Sequence, residues 1–156
     1  MSASPGGPSR TGGQRAQRQS IFGRKITLFS SGLPAVEISV SRIAQRPAYY
    51  GGGGRRDTPR RRGYLFFEVY FTYNAFEVDV QYGPGDWQLR TREGKTSAPA
   101  STRYGPRPRL REGSLAMGTR AGGWLVWEAP RQGPLFLEYR QPIRAAPIFE
   151  MQVRWQ

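Results

Sequence analysis

The run GYLFFEVYFTYN, from Gly63 to Asn74, constrains this chain more than any other stretch. Read with the two-residue period of an extended chain, it places Leu65, Phe67, Val69 and Phe71 on one face and Tyr64, Phe66, Glu68 and Tyr70 on the other. Both faces are rich in large apolar side chains, so both need cover. A strand of that kind belongs in the interior of a sheet. From Ile21 onward the same period recurs in shorter pieces separated by Gly and Pro. Ile26 and Leu28 flank Thr27, and Val36, Ile38 and Val40 alternate with Glu37, Ser39 and Ser41, with Ser31-Gly32 and Pro34 as turn residues. Further strands are predicted at Phe76 to Gln81, Trp87 to Thr91, Ser101 to Tyr104, Gly123 to Glu128, Leu135 to Arg140 and Phe149 to Trp155, about nine in all. No stretch has the pattern of an amphipathic helix. The expected fold is all-β, an antiparallel β-sandwich over residues 21–156 behind a disordered basic tail at 1–20.

The core of that sandwich is predicted to hold Leu65, Phe67, Val69, Phe71, Leu125, Trp127, Leu137 and Val153. Trp124 and Trp127 fall on opposite faces of one strand, and the alternation with Leu125 assigns Trp127 to the core. Trp124 is then left to solvent or to the underside of a loop. Gly122-Gly123 would allow a tight, φ-positive approach of another segment, and Pro130 would end the strand.

The chain has no Cys and no His, which removes disulfides, thiol catalysis, Ser-His-Asp chemistry and Cys/His zinc sites together. Its GGGG is followed by Arg-Arg, where a phosphate loop needs Gly-Lys-Ser/Thr. No Asp-rich loop has calcium-ligand spacing. The carboxylates are scattered, and only Glu77 and Asp79 are expected to share a strand face, a weak basis for paired-acid hydrolysis. No catalytic, metal or cofactor-binding residue is therefore assigned, and an enzyme is not expected. The longest strong apolar run, Tyr64 to Thr72, is about half of the ~18–20 residues a membrane-spanning helix requires. The first twenty residues lack the apolar stretch of a secretory signal, so a chain complete at Met1 would be expected in the cytoplasm.

Charge is the second strong feature. Lys+Arg number 24 against 11 Asp+Glu, and only Lys25 and Lys95 are lysine. Residues 42–62 carry seven arginines against Asp57, and residues 101–120 carry five against Glu112, so ten of the thirteen net charges sit in two segments. The first covers all but the last residue of the Gly/Arg loop at 51–63, read as a mobile basic arm. Arg55, Arg56, Arg60, Arg61 and Arg62 of this loop, with Arg103, Arg107, Arg109 and Arg111, are the candidate polyanion-binding residues, because guanidiniums make bidentate contacts with phosphate and carboxylate. Tyr49, Tyr50 and Tyr104 lie near enough in sequence to stack on bases or sugar rings. The same charge runs also fit a solvated insertion. The expected partner is a protein or an anionic polymer, nucleic acid included, although no recognised nucleic-acid motif is present.

The series YLFFEVYFTYN, WQLRTREGK and LREGSLAMGTRAGGWLVWEAPRQGPLFLEYR resembles a family of immunoglobulin-like bacterial domains of unknown function, the family of the mycobacterial secreted immunogenic protein and of many lipoproteins. Val69, Asn74, Leu89, Gly94, Gly118, Gly123, Leu125, Trp127, Pro130, Leu137 and Tyr139 occupy that family's pattern positions over Gly63 to Arg140. The resemblance implies an immunoglobulin-like sandwich acting as a non-catalytic binding module at the cell envelope or in the extracellular space. The charge alone implies instead a soluble polyanion or nucleic-acid binder that uses the arginine loops.

Overall fold

The computed structural model describes residues 25–77, 79–140 and 149–153. In chain order the strands are β1 (Lys25–Ser30), β2 (Leu33–Arg46), β3 (Tyr49–Tyr50), β4 (Arg56–Asp57), β5 (Tyr64–Ala75), β6 (Val80–Tyr82), β7 (Trp87–Thr91), β8 (Thr96–Ser97), β9 (Gly113–Leu115), β10 (Arg120–Pro130), β11 (Leu135–Tyr139) and β12 (Phe149–Val153). They form an all-β antiparallel sandwich of two four-stranded sheets, β1-β2-β5-β10 and β12-β11-β7-β8, with the small pairs β3-β4 and β6-β9 beside them. The tail predicted at 1–20 lies outside the described residues.

The two-faced strand is β5, and it is internal: β2 pairs along one edge and β10 along the other. Its pairing with β10 runs without a break from Arg120 opposite Asn74 to Pro130 opposite Tyr64. The odd-numbered residues face the second sheet, where Phe67, Val69, Phe71, Trp127 and Leu137 are completely enclosed. Phe71 packs 4.5 Å from Trp87 between ring centres, and Phe67 packs 6.4 Å from Trp127. Leu65, one rung from the end of β5 and opposite Ala129, is only half-buried. The side chain of Val153 lies outside the described residues.

Three local expectations change. The strand read from Phe76 to Gln81 shrinks to β6, because the chain bends at Phe76 and Glu77 and Asp79 has a φ of 56°. Glu77 and Asp79 consequently share no strand face. Ser101 to Tyr104 bends instead of extending, with its amides turned to a carboxylate described below. Gly122 and Gly123 are not φ-positive, yet the close approach is real. A Cβ on Gly123 would stand 2.6 Å from the carbonyl carbon of Arg109, inside any allowed contact. The strands β3, β4, β8 and β9 are two or three residues long, too short to show a period.

One irregularity decides what faces outward. Between Ser41 and Ala44 the register of β2 against β5 slips by one residue. A bulge of this kind reverses the alternation beyond it. Val36, Ile38 and Val40 point inward before it, whereas Gln45 sits opposite the core residue Phe67 after it, with its Nε2 unpartnered. Arg46 is thereby delivered to the outer face opposite Phe66.

At one end of the core Trp87 Nε1 donates to Tyr73 Oη (2.8 Å), which donates to Asp86 Oδ2 (3.0 Å), which also accepts Gly83 N–H (3.1 Å). Burial pushes the Asp86 carboxyl above the ordinary value of 3.8, against the opposing effect of the Tyr73 and Gly83 hydrogen bonds. Burial, followed by the Asp86 charge, likewise raises the Tyr73 phenol, so it stays a donor.

The enclosure of Phe67 makes Phe67→Ala costly, about 3–5 kcal/mol, against about 0.5 or less for Arg61→Ala; equal urea midpoints would contradict the core assignment. A raised carboxyl stabilises the fold below its unfolded pKa, and that contribution is lost as pH rises through the folded value. Asp86→Asn lacks this dependence, so its stability relative to wild type should improve from pH ~4 to ~7. Denaturation across that range tests it, and a constant difference would exclude the raised value.

Candidate functional site

The outer face of β5 and β10 carries a second, smaller apolar cluster made of Phe66, Val126, Tyr49 and the half-buried Tyr104. Tyr49 stacks on Phe66 with ring centres 4.8 Å apart. Its hydroxyl donates to Glu68 Oε1 at 2.7 Å, and Arg46 Nε stands 3.6 Å from Glu68 Oε2. Burial, reinforced by that hydrogen bond, pushes the Tyr49 phenol far above its usual range. A carboxylate buried on a sheet face needs such partners, so Glu68 ties β3 to the sheet.

β3 pairs with β4, Tyr49 opposite Asp57 and Tyr50 opposite Arg56, and closes the glycine run between them into a loop. Asp57 reaches onward: its Oδ2 accepts Arg103 N–H (2.9 Å) and Tyr104 N–H (2.6 Å). The Tyr104 ring lies so close to Gly51 that a Cβ there would come within 2.6 Å of the ring. The expected mobile arm is thus folded down at its base. Further along, Arg60 N–H donates to Glu128 Oε1 at 2.8 Å, and Arg61 donates to Tyr64 Oη at 3.2 Å.

Residues 100–110 run along the free edge of β10. Ala100 N–H donates to the Val126 carbonyl (2.7 Å), Leu110 N–H to that of Trp124 (3.0 Å), and Trp124 N–H to that of Pro108 (2.9 Å). Arg109 bridges directly to Trp124. Trp124 is half-buried on the outer face, with Tyr70 edge-on at 5.3 Å and the Arg42 guanidinium 5.3 Å over its ring.

Between the loops lies an open groove of about 820 Å³, bordered by Arg55, Arg56, Arg103, Arg107 and Arg109 with Asp57, Ser101, Thr102 and Tyr104. Five of the nine candidate arginines therefore converge. Among the described residues none of these five makes an ion pair. Arg60 and Arg61 border a second groove, about 520 Å³, with Tyr64, Lys95, Ser97 and Glu128. Arg62 and Arg111 line neither. Of the three tyrosines read as stacking platforms, Tyr49 is buried, Tyr104 is half-buried and Tyr50 is 70% exposed. Glu68, Lys95 and Ser101 were not legible as site residues; a lone acid within the most apolar strand was the available signal for Glu68.

No protein-family model and no curated protein matches the chain. Solved structures do. The secreted protein MPT63 of Mycobacterium tuberculosis is similar with a TM-score of 0.61 at 16% identity, over 86% of this chain and 95% of that one. The yjhA protein of Bacillus subtilis gives 0.62 at 14% identity, over 87% and 100%. A candidate lipoprotein of Bacillus subtilis, ycdA, gives 0.55 at 10% identity over 76% of this chain, which spans 36% of its length. Likeness at such identity establishes the sandwich fold.

Asp57→Ala removes the acceptor shared by two amides and should cost about 1 kcal/mol. Trypsin should then cleave after Arg55 and Arg56 faster than in wild type; unchanged cleavage would show that Asp57 does not hold the loops together.

Proposed function

We propose that this chain is a non-catalytic β-sandwich interaction module whose working surface is the five-arginine groove and whose ligand presents anionic groups. The observation supporting this reading is the convergence of guanidiniums from two loops around one carboxylate that is already engaged by backbone amides. Gathering like charges opposes folding, and an anion seated among them relieves that repulsion. Guanidiniums suit phosphate, sulfate or carboxylate by paired hydrogen bonds. The secreted and candidate-lipoprotein neighbours of the same fold support a place at the cell surface. Recognition of nucleic-acid bases is less well supported, because Tyr49 and Tyr104 are consumed by packing.

A charge-matched pair of variants tests the groove. Binding to an immobilised sulfated or phosphated polymer should weaken steeply between about 50 and 200 mM salt. Replacing Arg55, Arg56 and Arg107 with Gln should lower the salt slope by about 1 for each anionic group that is no longer neutralised. Replacing the exposed Arg92, Arg120 and Arg131 with Gln removes equal charge elsewhere and should leave most of the slope. Equal effects of the two triples would reduce the binding to net charge and overturn the proposal.

A further inference from the structure

The two grooves share a border residue, Ser101. One arginine of each groove is also tied to the same strand. Arg109 stands beside Trp124, the 100–101 segment beside Val126 and Arg60 on Glu128, so successive stations follow alternate residues of β10. Trp124 to Glu128 is four residues of strand, about 13 Å at ~3.3 Å per residue. A single phosphate cannot touch both ends. The acid in the second groove does not block the path, since Glu128 accepts the Arg60 amide and its Oε2 lies 3.9 Å from the Arg60 guanidinium.

Resting on the anion-binding reading above, we infer that the ligand is a linear chain of phosphate groups that runs from the five-arginine groove past Ser101 into the groove of Arg60, Arg61 and Lys95. It is bound through its anions. Aromatic faces beside this track are largely occupied: Arg42 lies over Trp124, Arg61 lies 5.5 Å over the Tyr64 ring, and Tyr104 packs on the Phe66 cluster, while the exposed Tyr50 lines neither groove. Stacking of bases or sugars needs open ring faces, whereas phosphate oxygens need cations and hydroxyls, which Ser97 and Ser101 supply.

The test uses the whole chain with tripolyphosphate, long-chain polyphosphate, a single-stranded DNA and an abasic strand of equal length. Long-chain polyphosphate should bind at least about tenfold tighter than tripolyphosphate at equal phosphate concentration, because one molecule engages both grooves. Arg60→Gln with Arg61→Gln should cut long-chain affinity back to that of tripolyphosphate, while Arg55→Gln with Arg56→Gln should weaken both probes. No length dependence in wild type, or a length dependence that persists in the Arg60/Arg61 variant, would overturn the track and leave the single groove standing. Failure of every polyanion to bind at low salt would instead sink the groove reading itself. DNA binding tighter than its abasic counterpart would show that bases are read, and would replace the phosphate-chain inference.

Discussion

The demand of β5 for cover on both faces organises this molecule. On its inner side the demand is met by a second sheet, through Phe67, Val69 and Phe71. On its outer side no third sheet lies among the described residues, and the connections are drawn down instead: Tyr49 onto Phe66, Tyr104 beside it, and the 100–110 segment along β10. Those are the same connections that carry the arginines. The groove is a by-product of covering an apolar strand: the backbone that carries its arginines is drawn down over Phe66, Val126 and Glu68. Fold stability and the candidate site therefore depend on the same loops, and Glu68, which lines neither groove, anchors β3 at the base of one of them.

The frame was readable because burial leaves a period. Leu125 against Trp124 and Phe67 against Phe66 declare their faces through alternation, and Pro130 marks the end of β10 where the sequence puts it. The bulge in β2 was not readable, since a one-residue slip of register depends on the partner strand, and Ser41 to Ala44 contains nothing that forbids a straight strand. Nor was the loop fold. A run of Gly and Arg has neither period nor core, and its order comes from Asp57 and Glu128, acids that reach amides forty or more residues away. The arginine set was legible as chemistry but not as geometry. Sequence could nominate nine guanidiniums; the tertiary fold sorts them into five around one groove, two around another and two outside both.

The two outer faces treat their acids differently. On the second sheet Glu138 is buried beside Arg90, with Nε to Oε2 at 2.7 Å, and also accepts Gln88 at 2.6 Å. Acid and base are matched there, and the face closes on itself. Beside the first sheet Asp57 accepts two amides, and Glu128 accepts one while its other oxygen lies at a loose 3.9 Å from Arg60, so the five arginines around Asp57 are left over. An exposed ion pair contributes roughly 0–1 kcal/mol, so forgoing such pairs costs little stability.

The long strand has an electrical consequence as well. Arg60, Arg61 and Arg62 stand just before the first residue of β5, whereas Glu77 and Asp79 follow its last, about 40 Å away along a twelve-residue strand. Arg120 offsets part of the acidic end, and the arginine end remains far more positive. Among the described residues, charge is thus graded along the axis of β5, from basic before its first residue to more acidic after its last. In the field of an anionic surface, this gradient of the described charges would favour an approach with the loop end leading and the β1-β2 turn trailing.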